Sequence, residues 1–316
     1  MHLLSWRRDS AGVLRCLILT HHANALAAVR DDLLSASGGP ECEGMLCAIV
    51  ALACYAHLQG DPSCWKQHML AINRILQHFC LTWDDLTDGK RVDCIGSYAF
   101  DIPPTVSHAL EDKVPAMNGS PTSAPAAISM RLAGLCPAMW EAFGALEMMN
   151  TQIELLYTQQ GEELWQRPGE VDAIVHPVTL KFLSLPKYLD ASPAWICLRS
   201  GALLYLAEFR RRSGISPVAT GLHVQQLYAG LKTCGILGPR LRLWLLTVGF
   251  IEKSVISEAD SLDLLEKTLH EMNIASMTEW KNSLKEIIWL DALFNQKLLP
   301  MSGSLMFSPF YLLCDT

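Results

Sequence analysis

Cysteine, histidine and one oddly placed aspartate are the residues of this sequence whose chemistry could go beyond packing. The chain carries 11 cysteines, at positions Cys16, Cys42, Cys47, Cys54, Cys64, Cys80, Cys94, Cys136, Cys197, Cys234 and Cys314. A tetrahedral zinc ion draws its ligands from close pairs, as in Cys-x-x-Cys or His-Glu-x-x-His, and neither pattern occurs. Cys47 and Cys54 stand seven residues apart, which puts them on one face of a helix. That spacing predicts two small hydrophobes in a core seam, because free cysteine packs as one. His21, His22, His57, His68, His78, His108, His176, His223 and His270 are dispersed. His22 and His68 are expected within helices, as satisfied core or interface groups. Nothing resembles Gly-x-Ser-x-Gly, a Cys-His nucleophile signature, Gly-x-Gly-x-x-Gly or a Walker loop. The residues therefore assign no catalytic, cofactor-binding or metal-ligating position.

Asp291 is the acid that stands out. Trp280, Leu284, Ile287, Asp291 and Phe294 fall on one stripe of an expected final helix, which sets a carboxylate in an apolar seam. A buried ionised acid needs a partner. The spacing leaves two readings: an ion pair with Arg240 or Arg242 from another helix, or an acid facing a ligand. The ion-pair reading predicts that Asp291→Asn lowers the melting temperature.

Helices have to position these side chains. A first helix is expected over residues 13–35, stopped by Ser37-Gly38-Gly39-Pro40, and an apolar one from Cys42 to Gln59. Gly60-Asp61-Pro62 reads as a helix start, with Asp61 as N-cap and Pro62 in the first turn. Trp65, Met69, Ile72, Leu76 and Phe79 follow at alternating spacings of four and three, the stripe of a core-facing helix. From residue 84 to 134 the periodicity collapses among Pro103, Pro104, Pro115, Pro121 and Pro125, and the stretch reads as a Pro/Ser-rich loop or seam.

Patterning resumes at Pro137 to Tyr157. Short helices and turns are expected around Pro168, Pro177 and Pro186. Further helices are expected from Pro193 to Arg212, from Leu222 to Lys232 and from Pro239 onward. Ser257–Asp260 and Ser276–Glu279 read as capping boxes, in which a hydroxyl and a carboxylate satisfy opposed amides. No alternating strand or hairpin dipeptide competes. The fold class is all-α: a multi-helix domain of packed helical pairs spanning residues 1–316, with the 84–134 loop inside it.

The totals bound the function. Of 316 residues, 50% are hydrophobic and 18% charged, with a mean hydropathy of +0.20, as in a globular chain with much helix-to-helix burial. The apolar run Met45 to Leu58 is too short to span a bilayer. Arg15, His21 and His22 interrupt what would be a signal peptide's apolar core, so no secretion is expected. The net charge of −7 argues against a nucleic-acid surface, which needs a basic stripe. Arg210-Arg211-Arg212 reads as cations at a helix C-terminus, followed by Gly214 at C′, with a nuclear-import signal as the alternative.

Several blocks fall in a telling order. His21-His22-x-x-Ala25-Leu26 precedes an apolar helix and then Gly60-Asp61-Pro62-x-x-Trp65-x-x-His68-Met69. Near the end come Leu243-Trp244-Leu245-Leu246-x-Val248-Gly249 and Trp280-x-x-x-Leu284-x-x-Ile287-x-Trp289-x-Asp291-x-Leu293-Phe294. Asp101-Ile102-Pro103-Pro104 suits a variable middle. The set resembles, over about residues 15 to 300, the regulatory domain that follows the binuclear zinc-cluster DNA-binding module in fungal transcription factors.

The resemblance implies an all-α, nuclear regulator of metabolic or secondary-metabolite genes. It also implies a small-molecule effector or a protein partner, such as a DNA-binding factor, with cytoplasm the second choice of location. The DNA-binding module itself would need six paired cysteines near the N-terminus, and Cys16 and Cys42 lack such partners. The expectation is a chain that makes no direct DNA contact and no membrane contact and that needs no cofactor, with a homodimer compatible. It is either without the module or a fragment of something longer. The alternatives are a small-molecule-binding protein or enzyme on the same scaffold, acting on a hydrophobic metabolite, or a truncated, inactive paralogue.

Overall fold

A computed structural model of the chain describes residues 24, 27, 31, 41–78, 87–105, 137–185, 192–215, 219–235, 237–252 and 258–304. Among them are eleven α-helices and no strand, so the fold is all-α. The chain divides into two compact units, Met1–Gly96 and Ser97–Thr316. None of the described helices is long and apolar enough to cross a membrane.

In the first unit, α1 (Glu41–Leu58) packs on α2 (Pro62–His78). Gly60 takes a positive φ of 68° in the turn between them. Asp61 caps α2 as its sequence suggests, its Oδ1 accepting from the Cys64 N–H at 2.9 Å. Trp65, Met69, Ile72 and Leu76 are buried along one stripe, and Phe79 lies outside the described residues. The core-seam reading of Cys47 and Cys54 does not hold: Cys47 is exposed and Cys54 half-buried. Because α1 is apolar nearly all round, periodicity could not select its inward face. Met45, Ile49, Leu52, Ala53 and Ala56 turn inward, and Cys47 stands roughly opposite them.

The 84–134 stretch is part helix, part loop where it is described: Asp101–Thr105, with Pro103 and Pro104, are turn and coil. Residues Thr87–Phe100 form α3, which runs through the boundary at Gly96 and Ser97. Its inward positions are Asp93, Cys94, Gly96, Ser97 and Tyr98, mostly small or polar, so hydropathy shows no stripe. Gly96 is required there, since a Cβ on it would meet the Trp65 indole at 2.1 Å. Residues 106–136 lie outside the described residues, as does nearly all of the 13–35 helix, of which Asn24, Ala27 and Asp31 are helical.

In the second unit, α4 (Pro137–Gln160) leads through a 3₁₀ turn (Gly161–Gln166) into α5 (Pro168–Ser184). The short helices and turns expected around Pro168 and Pro177 are one continuous helix instead. Pro168 sits at its first turn and Pro177 inside it, where the proline removes one backbone bond. Burial of Val171, Val175, Val178, Phe182 and Leu183 outweighs that loss.

The hub is α6 (Pro193–Arg212), which contacts α4, α5, α7 (Gly221–Thr233), α8 (Pro239–Ile251) and α11 (Asp291–Ser304). Ser192 caps its start, its hydroxyl accepting from the Trp195 N–H at 3.3 Å. At its end Gly214 has φ 70°, and two bonds close the last turn: Gly214 N–H to Arg211 O at 3.1 Å and Ile215 N–H to Arg210 O at 2.8 Å. This is the Schellman arrangement that the Arg-Arg-Arg-Ser-Gly sequence suggests. The three cations are engaged differently from a plain solvated cluster. Arg210 is buried, Arg211 pairs with Glu208 and Glu252, and Arg212 pairs with Glu162.

Two further helices precede α11, namely α9 (Glu258–Glu271) and α10 (Met277–Lys285). The Ser276–Glu279 capping box is present: Ser276 Oγ accepts from the Glu279 N–H at 3.1 Å, and the Glu279 carboxylate accepts back from the Ser276 N–H. Ser257 lies outside the described residues. The single final helix expected over Trp280 to Phe294 is in fact two, interrupted at residues 286–290.

Candidate functional site

The interruption between α10 and α11 is the centre of the candidate site. Ile287, Ile288 and Trp289 are modest helix formers, and tertiary partners take up the backbone groups they release. Trp244 Nε1 on α8 donates to Ile288 O at 2.6 Å, and Asn150 Nδ2 on α4 donates to Trp289 O at 3.4 Å. The helix restarts as the Leu293 and Phe294 N–H groups both bond Leu290 O at 3.1 Å. Upstream, Trp280 Nε1 donates to Thr247 Oγ1 at 3.1 Å. The two tail blocks of the sequence are thus joined in space, one supplying Trp244 and Thr247 and the other Trp280 and the 288–290 turn.

An aromatic cluster surrounds this seam. The rings of Tyr205 and Phe294 stack with centroids 4.7 Å apart, Trp289 lies 4.7 Å from Phe294, and Trp244 lies 5.8 Å from Tyr205. Close approach of α6 to α8 depends on Gly201, where a Cβ would meet Leu245 at 2.3 Å. The buried Tyr205 hydroxyl donates to Asn150 Oδ1 at 2.6 Å. Burial first, then the Glu154 and Asp291 carboxylates, push the Tyr205 phenol well above its ordinary range.

Three polar atoms of this segment are shielded from solvent and bond no protein group: Trp289 Nε1, Asp291 Oδ1 and Asn295 Oδ1. Asp291 and Asn295 are four residues apart on α11, hence neighbours on one face. Together they are one donor and two acceptors.

The ion pair expected for Asp291 is corrected. Arg240 pairs with Glu286 and Arg242 with Glu271, while Asp291 Oδ2 meets Lys285 Nζ at 2.5 Å. That pair is half-exposed, with side-chain exposures of 48% and 41%, so the carboxylate is not sealed in an apolar seam. The helix break is the reason: Asp291 opens a new helix instead of continuing the stripe of Trp280 and Leu284, which are fully buried.

A second polar centre escaped the sequence reading. Asp101, at a positive φ of 52° just past α3, receives the Arg199 guanidinium on Oδ1 and the Gln226 amide on Oδ2 at 2.9 Å. Arg199 Nε donates to Phe182 O at 3.0 Å and Nη2 to Leu183 O at 3.4 Å, tying the end of α5. Ser200 Oγ donates to Gln226 Oε1 at 3.2 Å. Beside this clamp, His223 Nε2 lies 2.7 Å from Tyr98 O, and the Tyr98 hydroxyl donates to Leu203 O. The one available signal was Arg199 itself, a lone cation inside the apolar run from Trp195 to Phe209.

Among the described residues no group of three or more His, Cys, Asp or Glu side chains is arranged to hold a metal. No family model, curated protein or solved structure matches the chain.

Proposed function

We propose that this chain is a transcription-factor-like regulatory protein. It controls metabolic or secondary-metabolite genes by binding a small effector or a protein partner, and does not itself contact DNA. The observation that carries the reading is the ordered series of blocks at 21–26, 60–69, 243–249 and 280–294, which resembles the fungal regulatory domain. The net charge of −7 suits a protein partner better than a phosphate backbone. The shielded donor and two shielded acceptors at 289–295, beside buried aromatic rings, support an effector-binding reading.

Chromatin association in the native cell, combined with transcript profiling after deletion, tests the proposal. The expected result is nuclear, chromatin-associated protein and the loss of a coherent set of metabolic transcripts. Exclusively cytosolic protein with an unchanged transcriptome overturns it.

The same seam favours a second reading, a binding protein or enzyme for a hydrophobic metabolite that carries one polar group. Metabolite profiling of the same deletion separates the two. An accumulated intermediate with normal transcripts selects the second reading.

A further inference from the structure

We propose that Cys64 and His68, one turn apart on α2 with Sγ and Nε2 separated by 3.3 Å, form a chelating pair for a thiophilic divalent metal ion of the Zn2+ type. Side chains at i and i+4 share a helix face, so the backbone brings both donors together without a loop rearrangement. Zn–S bonds of about 2.3 Å and Zn–N bonds of about 2.0–2.1 Å, at a tetrahedral angle, hold two such donors roughly 3.5 Å apart. The observed separation is close to that bite. Thiolate with imidazole is also the donor set that selects zinc over magnesium or calcium.

The surroundings favour a cation. Asp61 caps the same helix three residues before Cys64, with its carboxylate bonded to the Cys64 N–H at 2.9 Å. That carboxylate attracts a divalent ion. On binding, the ion replaces the thiol proton, which leaves to solvent, and accepts the imidazole lone pair at Nε2. Its oxidation state does not change.

His68 is buried and Cys64 half-buried, so the ion enters from the sulfur side. No third metal-ligating side chain is grouped with the pair among the described residues, so water completes the coordination. The site is therefore open and exchangeable rather than a structural zinc centre.

Titration of the full chain with Co2+, in reducing buffer, tests this directly. The expected result is a thiolate-to-cobalt charge-transfer band that Zn2+ abolishes. The band should be lost in Cys64→Ser and His68→Gln and kept in Cys47→Ser and Cys54→Ser. Alkylation of Cys64 in the unaltered protein, followed by mass spectrometry, gives a readout that needs no variant to fold. Zn2+ should slow labelling of Cys64 at least several-fold. A band that survives Cys64→Ser, or labelling of Cys64 at the same rate with and without Zn2+, overturns the proposal.

Discussion

The clamp at Asp101 and the seam at Trp289–Asn295 lie in the same helical unit, and they differ in how completely they close. In the clamp each polar side-chain atom of Asp101, Arg199 and Gln226 has a protein partner, and the ion pair is only 3–5% exposed. In the seam the backbone carbonyls are satisfied by Trp244 and Asn150, yet three shielded side-chain atoms are not. A closed network fixes a conformation, because any rearrangement strands a charge. An incomplete one leaves interaction energy for an occupant to supply, which is what a binding site needs and a structural joint does not. The comparison separates a closed polar network from one that keeps three shielded, unpartnered side-chain atoms.

Breaking the clamp should have the largest effect. Arg199→Met leaves the Asp101 carboxylate buried without its cation, and the expected loss is about 3–5 kcal/mol of unfolding free energy. Asp101→Asn tests the charge separately from the backbone, since asparagine also adopts the left-handed conformation seen at φ 52°. Urea denaturation measures both. Variants as stable as the parent would mean that the network does not hold α5 and α6 together.

At the seam, Tyr205→Phe removes the donor to Asn150 Oδ1 and should cost about 1–3 kcal/mol, less than the clamp variants. Its pH signature follows from the raised phenol. The folded state holds this proton more tightly than the unfolded one, so the contribution is complete below pH 10. It declines as pH rises above that value toward the folded-state pKa. The Phe variant should therefore lose less stability than the parent on going to alkaline pH. Equal losses in both would show that Tyr205 does not report on the seam.

How much of this was legible follows from what each residue displays to a sequence reader. The Asp61 cap, the Ser276–Glu279 box and the stripe of α2 were legible because caps and amphipathic spacing are local signals. The inward face of α1 was not, because a helix apolar on all sides has no preferred direction to read. α3 was hidden for the opposite reason, with Asp93, Cys94, Gly96 and Ser97 at its inward positions. Asp291 was read as an acid in an apolar seam, and its setting and partner were both misassigned because the break at 286–290 depends on Trp244 and Asn150, distant in sequence. The clamp joins residues separated by 98 and 125 positions, and no local pattern marks either pairing.

The start of α10 offers a smaller test of how firmly the seam is held from its upstream side. Ser276→Ala removes the N-cap and should cost about 1 kcal/mol. Backbone hydrogen bonding, led by the Ala275 N–H, holds the Glu279 carboxyl below its ordinary range. The sign is that of a depressed acid: the contribution is complete above pH 4.5 and is lost as pH falls below it. Glu279→Gln should flatten this acid dependence in thermal melts. An acid limb identical to that of the parent would remove the capping box from the account.

Asp291→Asn should have the least effect on stability and the most to say about the comparison. Its pair with Lys285 is half-exposed, and such pairs contribute about 0–1 kcal/mol, so the melting temperature should hardly move. A large drop would mean that Asp291 closes the seam as Asp101 closes the clamp, and the distinction between the two regions would fail. The same substitution keeps an acceptor oxygen but removes the negative charge next to Trp289 and Asn295. If the chain is the proposed regulator and the seam takes a neutral hydroxyl, its output in the cell should survive Asp291→Asn. It should be lost in Asn295→Leu, which removes an acceptor altogether. Loss of output with Asp291→Asn at an unchanged melting temperature would instead point to a cationic occupant.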